Sequence, residues 1–296
     1  MHVKTNQLIS MKNIFVFICF FTLFNTPNLF AQTDMEFIQK IDSSLVVLTN
    51  LASEAKHLHP CLTEFHPVAV AYKDSLFIFD YNKEKGKYEF IIKTAQPFPI
   101  PEGMEASFPL SAYDNIPSCI ITPKTFNSDA GYATILHEFI HCCQFSSVEP
   151  ALKQELEIYR AAMEKQDYSW EIMHPFPYED SLFINYYGNL KNALAQDVVN
   201  EAKQFRLKIK NHLSKIDFEY LLWQEWKEGL ARYVENKVRN QLGITANNYG
   251  SDTSYNRAAF YYSGELLIKH LEKDNPALPE KPEQLFEMMK NFHVND

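Results

Sequence analysis

The chain has 296 residues, of which 46% are hydrophobic and 22% charged, and its formal net charge is −9. This composition is typical of globular proteins, and the length is sufficient for one large domain or two smaller ones. The sequence contains no run of Lys and Arg long enough to neutralise a phosphate backbone. We therefore expect no nucleic-acid partner.

The first 31 residues have the features of a secretory signal peptide. Lys12 is followed by an apolar run over 14–24, and the small residue Ala31 precedes the polar Gln32. A basic start, a short apolar run and a small residue at the cleavage site are the parts of such a signal. The run is shorter than the roughly 20 residues that span a bilayer. We expect cleavage after Ala31 and an exported protein, periplasmic or extracellular, without a stable membrane anchor.

Four cysteines remain after this cleavage: Cys61, Cys119, Cys142 and Cys143. An exported protein can form disulfide bonds, and four cysteines allow three pairings. Cys143 falls on the apolar side of the helix predicted around it, so we interpret it as a small buried residue. A bridge from Cys61 or Cys119 to Cys142 is the alternative.

The pattern of apolar residues predicts a sheet early in the mature chain and helices later. Apolar positions three to four apart predict a helix over 34–58, and prolines predict an extended loop over 95–111. Short β-branched and aromatic runs predict two antiparallel hairpins and one later strand, with the strands at 68–72, 76–81, 88–92 and 118–122. Further helices are expected at 151–166, 188–214, 217–242, 255–273 and 282–291.

This order of elements favours an α+β fold, with a small antiparallel sheet followed by a mainly helical C-terminal part. We divide the mature chain into an N-terminal part, 32–111, and a catalytic region, 112–296. Within the latter, residues at about 145–216 are interpreted as a helical insertion.

The most informative motif is His137-Glu138-Phe139-Ile140-His141, an H-E-x-x-H sequence. Asn127, Ser128 and Asp129 precede it as helix-starting residues, so the motif is expected to lie on a helix. Positions four apart share one helix face, which lets both imidazoles point at the same ion. Two neutral nitrogen ligands with an adjacent carboxylate as general base are the parts of a zinc hydrolase.

A catalytic zinc ion needs a third protein ligand, and Glu228 is the candidate. It is followed by Gly229, a residue that costs about 1 kcal/mol relative to Ala inside a helix. Such a glycine is understandable where two backbones approach closely, and we expect the approach to be toward the helix that carries the histidines. Glu225 and Glu235 share roughly the same helix face and are rival ligands. Glu235 could instead accept the free N–H of a ligand histidine.

These motifs resemble those of the gluzincins, zinc peptidases whose third ligand is a glutamate on a second helix. The closest local similarity is to the aminopeptidase N group, in which that glutamate lies in a Trp-x-x-Glu-Gly-x-Ala-x-x-x-Glu context. Here Trp226 lies one residue closer to Glu228 than in that group, and the 87 residues from His141 to Glu228 form a longer separation. The resemblance implies a zincin-like fold and a Zn²⁺ ion held by His137, His141 and Glu228.

The same resemblance implies roles for two further residues. A tyrosine three residues before a glycine stabilises the developing oxyanion in the aminopeptidase N group, and Tyr261 has that position before Gly264. Tyr262 is the alternative. The residue four positions after the glutamate ligand, often acidic in gluzincins, is Arg232 here. Gln144, one turn after His141, is interpreted as a residue of the helix surface.

We therefore predict an exported zinc metallopeptidase that acts on a peptide or protein substrate, with Glu138 as general base. The strand Cys119–Thr122 is expected to be an edge strand that aligns the substrate. An endopeptidase is favoured, because the segment 111–115 lacks the glutamate with which aminopeptidase N relatives bind a substrate's N-terminus. Two alternatives remain: a zincin-shaped binding or structural module without turnover, and a helical protein with a chance H-E-x-x-H.

Overall fold

A computed structural model describes residues 27–252 and 255–293, with side chains described from Thr33 onward. The predicted signal peptide lies outside the described residues over 1–26. The chain divides into two compact units, residues 1–43 and 44–296. The sheet and the candidate site belong to the second unit.

Five strands precede most of the helices, which confirms the expected order of sheet and helices. The strands are β1 (Val68–Tyr72), β2 (Ser75–Asn82), β3 (Lys87–Ala95), β4 (Ala106–Leu110) and β5 (Ile116–Ile121). The helices are α1 (Pro27–Ala55), α2 (Asp129–Ser147), α3 (Glu149–Glu155), α4 (Glu157–Glu164), α5 (Trp170–Met173), α6 (Ser181–Ala195), α7 (Val199–His212), α8 (Lys215–Gln241), α9 (Ala258–Asp274) and α10 (Pro282–Asn291). Short 3₁₀ helices cover Pro60–Thr63 and Pro123–Asn127.

The strands form one mixed sheet in the order β3-β2-β1-β5-β4. Both predicted hairpins are present, because β2 pairs antiparallel with β1 and with β3. The expectation of a purely antiparallel sheet is wrong, since β5 returns beside β1 and pairs with it in parallel. Buried residues of β1 and β5 meet there, with Val68 opposite Cys119.

The prediction of a loop over 95–111 is wrong at its end, where β4 pairs antiparallel with β5. Pro109 explains the incorrect loop prediction, because proline has no N–H to donate to a sheet. An edge strand nevertheless tolerates proline. β4 is that edge strand, so the strand containing Cys119 is internal. The expectation that Cys119–Thr122 would be an edge strand that aligns a substrate is therefore wrong, because the two edges of the sheet are β3 and β4.

Two of the predicted helices are interrupted. Leu156 has an extended backbone between α3 and α4, and Asp197 has a φ of 60° between α6 and α7. Helices α8, α9 and α10 follow the predicted ranges closely. No helix among the described residues has both the length and the apolar character needed to cross a membrane.

A disulfide bond joins Cys61 to Cys143, with their Cα atoms 5.6 Å apart. The interpretation of Cys143 as a simple buried residue is therefore wrong. Cys142 and Cys119 are the buried free thiols. Adjacent helical residues point about 100° apart, so Cys143 can face the 3₁₀ helix at Pro60–Thr63 while Cys142 faces the core.

Helices α8 and α9 approach each other closely at Gly229 and Gly264. A Cβ atom added to Gly229 would lie 2.7 Å from the Cα of Gly264, and one added to Gly264 would lie 2.1 Å from the carbonyl oxygen of Glu225. Gly229 thus permits a close backbone approach, but toward α9 and not toward the helix with the histidines. The expected partner of this glycine is corrected accordingly.

We predict that Gly229→Ala lowers the free energy of unfolding, measured by urea denaturation. Overpacking against rigid backbone typically costs 1–3 kcal/mol, which exceeds the gain of about 1 kcal/mol in helix propensity. Gly188→Ala is the matched control, because its Cβ would meet only the mobile end of Tyr255, at 2.8 Å. Equal stability changes in the two variants would contradict the prediction.

Candidate metal centre

Helix α2 holds the H-E-x-x-H motif in the interior of the protein. The Ser128 side chain caps this helix by accepting a hydrogen bond from the Gly131 backbone N–H at 3.1 Å. His137 and His141 lie on one face and are 5% and 7% exposed. The opposite side of the helix, with Phe139 and its apolar neighbours, is fully buried. Local packing thus orients both imidazoles away from the apolar core.

Helix α8 brings Glu228 to these histidines. The Nε2 atom of His141 lies 3.1 Å from Oε2 of Glu228, and Nε2 of His137 lies 3.6 Å from the same oxygen. The two Nε2 atoms are 3.2 Å apart. One potential ligand atom from each residue thus falls within 4.8 Å of the others, and all three residues are buried. This group could hold a metal ion.

The electrostatics of the cluster favour charged acids. Burial lowers the pKa of His137, but the hydrogen bonds with Glu228 and Glu235 outweigh burial and raise that pKa to about 10. Burial raises the pKa of Glu228, yet both histidines hold it well below its usual range. Two buried carboxylates beside both histidines would favour a divalent cation at this position.

The second nitrogen of each histidine is hydrogen-bonded to an acceptor on the protein. Nδ1 of His137 lies 3.1 Å from Oε2 of Glu235, and Nδ1 of His141 lies 2.9 Å from Oε1 of Gln144. These contacts leave the Nε2 atoms for a ligand bond and fix the ring orientations. The interpretation of Gln144 as a surface residue is wrong, because its side chain is fully buried.

Glu235 is itself held by positive charge. Nε of Arg232 lies 3.2 Å from Oε2 of Glu235, and Nε of Arg239 lies 2.7 Å from Oε1. Burial raises the pKa of Glu235, but His137 and Arg232 lower it to about 2. Arg232, at the position that is often acidic in gluzincins, thus stabilises an acid that lies one turn further along.

The rival ligand Glu225 points elsewhere. Its carboxylate forms a buried ion pair with Arg206 and accepts hydrogen bonds from Tyr187 at 2.9 Å and Ser263 at 3.0 Å. This network joins α6, α7, α8 and α9. Glu225 therefore has a structural role, and Glu228 is the acid of α8 that reaches both histidines.

Glu138 and Tyr261 border the same site. Glu138 is 6% exposed and follows His137 directly. Tyr261 is half-buried, and burial together with the negative charge of Glu228 holds its pKa well above the usual range, so the hydroxyl keeps its proton. Tyr262, the alternative, is also half-buried. A neutral donor and a carboxylate thus lie beside the histidine–glutamate cluster.

Glu105, which the sequence analysis did not assign, also faces the cluster. It lies just before the edge strand β4 and interacts electrostatically with Glu138, Glu235 and His137. Thr125 donates a hydrogen bond to it at 3.2 Å. A cavity of about 370 Å³ adjoins it, lined by Gly103, Glu105, Lys124, Thr125, Ser128, Ala130, Gly131 and Thr134. In the sequence, Glu105 is recognisable only as an acid before a strand. The prediction of a loop over 95–111 left that strand unassigned.

Comparison of this chain with protein-family models, with curated proteins and with solved structures found no match.

If this group binds a metal ion, we predict that Glu235→Gln weakens the binding of added Zn²⁺ about 10- to 100-fold, because the acceptor at Nδ1 of His137 loses its charge. Competition with a chromophoric chelator measures the affinity. Glu219→Gln is the matched control: it removes a charge from the same helix, and Glu219 contacts the Ile158 backbone at 3.0 Å instead of a histidine. Equal affinities in the Glu235 variant and in the wild type would contradict a role for this contact.

Proposed function

We propose that this protein is an exported, zincin-like zinc peptidase. The observation that supports the proposal is the buried group formed by His137, His141 and Glu228, with Glu138 adjacent. Two imidazole nitrogens and one carboxylate oxygen are a donor set that suits zinc and leaves one position for water or substrate. The donor atoms converge in one place, and the Nδ1 atoms of both histidines are already hydrogen-bonded. The residues present therefore fit the ion.

Zinc bound there would supply Lewis acidity, which makes water a nucleophile near neutral pH and polarises the substrate carbonyl. Glu138 would take a proton from the attacking water and deliver it to the leaving amine, a contribution typically of 10²- to 10⁴-fold. The neutral Tyr261 hydroxyl would donate a hydrogen bond to the oxygen on which negative charge develops. Its raised pKa suits this role, because only the protonated phenol donates.

The free edge of β4 would align an extended substrate, in the role first expected of the strand at Cys119. An edge strand offers unpaired backbone N–H and C=O groups to a peptide. β4 also begins directly after Glu105, which faces the candidate zinc ligands. Substrate along β4 would therefore pass beside the reacting groups.

The alternative of a binding or structural module without turnover keeps the same helix packing. The intact general base Glu138 favours the enzyme, because a module that only binds has no use for a carboxylate beside the zinc ligands. Elemental analysis for zinc, together with a peptide-library cleavage profile with and without chelator, distinguishes the two.

We predict that Glu138→Gln abolishes peptide cleavage but retains zinc, because it removes the proton acceptor and none of the ligands. Mass spectrometry of a peptide library reports turnover, and elemental analysis reports the metal. Glu228→Gln is the comparison variant, since it should lose both. Undiminished cleavage by the Glu138 variant would refute the proposed mechanism.

A second candidate, an aminopeptidase, is supported by Glu105. A carboxylate just before the edge strand, beside the site, can bind the protonated N-terminal amine of a substrate. The absence of a glutamate from 111–115 favours an endopeptidase in the sequence alone. Residues Asp114 and Asn115 form a turn with positive φ between β4 and β5, so the acid near the site comes from the other end of β4.

The two candidates differ in their response to N-acetylation of the substrate. If Glu105 binds the amine, we predict that free peptides are cleaved faster than acetylated ones and that Glu105→Gln removes this preference. Glu102→Gln, at an exposed neighbouring position, is the charge-matched control. Equal kcat/KM for both peptide forms in the wild type would favour the endopeptidase.

A further inference from the structure

Arg257 is a cation at the edge of the candidate site that the proposed mechanism does not use. It directly precedes α9 and lies one helical turn before Tyr261. The central carbon of its guanidinium group is 5.6 Å from the centroid of the Tyr261 ring. Its charge interacts with Glu228 as well as with three tyrosines, Tyr178, Tyr220 and Tyr261. The guanidinium group is therefore close to the candidate zinc ligands.

A second arginine lies equally close to the same ring but is buried and paired with an acid. The central guanidinium carbon of Arg232 is 5.5 Å from the Tyr261 centroid. Arg232 pairs with Glu235 and donates to the backbone carbonyls of Asn247 at 3.0 Å and Tyr249 at 3.1 Å. It is only 4% exposed, so a ligand from solvent cannot reach its remaining donors.

Arg257 differs from Arg232 in both respects. Within the described ranges 27–252 and 255–293, its guanidinium group forms no hydrogen bond and no ion pair with a carboxylate. The residue is half-buried, so it remains partly accessible to a ligand. A partly desolvated guanidinium group with unused donors is a strong site for a carboxylate, which it can bind through two parallel hydrogen bonds.

The surroundings of Arg257 are acidic, so its positive charge matters for the binding of an anionic substrate group. Glu105, Glu138 and Glu228 give the site an acidic character that would repel an anionic substrate group. Arg257 opposes that repulsion from the α9 side, where its charge acts on Glu228. A substrate carboxylate would thus be favoured beside Arg257.

We propose that Arg257 binds a carboxylate of the substrate and so selects peptides with a negative charge at a defined distance from the cleaved bond. The inference rests on the proposed zinc peptidase function. The carboxylate is either the C-terminus or the side chain of Asp or Glu, since both present the same group.

The test uses hydroxamates, which bind zinc directly, with an alkyl chain ending in a carboxylate or in a carboxamide. Both series, at increasing chain length, are titrated calorimetrically into the zinc-loaded protein. At the matching length we expect the carboxylate to bind roughly 10- to 100-fold more tightly than the carboxamide. Arg257→Gln should abolish this ratio, whereas a merely structural cation over Tyr261 would not produce it.

Arg160→Gln is the charge-matched control and should keep the ratio. Arg160 is exposed on α4 and interacts with Lys215, 13 residues before Glu228, or roughly 20 Å along α8. The carboxamide series is the internal reference for correct folding of each variant. No carboxylate preference at any length in the wild type, or the same preference in Arg257→Gln, would overturn the proposal. If neither series binds the wild type, the zinc centre itself is wrong and the inference falls with it.

Paired peptides distinguish the two sources of the carboxylate. One pair differs in a free or amidated C-terminus, and the other carries Asp or Asn at an internal position. A higher kcat/KM for the free acid, lost in Arg257→Gln, identifies the C-terminus; the same pattern for Asp identifies a side chain. Equal rates within both pairs in the wild type would contradict carboxylate selection.

Discussion

The contact between α2 and α8 removes His137, His141, Glu228 and Glu235 from water at one place. An isolated buried charge costs several kcal/mol, so groups of this kind persist only where opposite charges or a metal compensate them. Each residue here lies within hydrogen-bonding distance of another member of the cluster. Apolar residues of similar size would pack the same interface without that cost. The polar cluster therefore lowers the stability of the fold, which is understandable if the cluster binds a metal.

The close approach of α8 and α9 places a second set of side chains around that cluster. With glycine on both helices, the backbones come nearer than any Cβ atom would allow. Tyr261 lies almost one turn before Gly264, so the approach carries its hydroxyl toward Glu228 and its ring between Arg232 and Arg257. Gly229 therefore helps to position Tyr261, the residue that would assist catalysis. It affects the position of the candidate ligand Glu228 only indirectly.

Sequence reasoning predicted what depends on local periodicity and failed where distant segments meet. The spacing of His137 and His141 determines their common face on any helix, and the context of Glu228 was distinctive enough to single it out. The position of β4 at the sheet edge depends on β5 returning beside β1, which no local pattern encodes. For the same reason the burial of Gln144 against α8 and the position of Arg257 beside the site could not be predicted.

The bond between Cys61 and Cys143 closes a covalent ring that contains all five strands and the two candidate ligands His137 and His141, whereas Glu228 lies outside it. In the chain-entropy model, a ring of this size lowers the entropy of the unfolded chain and so stabilises the folded state by about 4.5 kcal/mol. A metal held by His137, His141 and Glu228 would form a second, reversible closure that ties the ring to the helices that follow. Removing the ion would then release the C-terminal helices from one of their anchors while the ring kept the sheet and the histidine helix together.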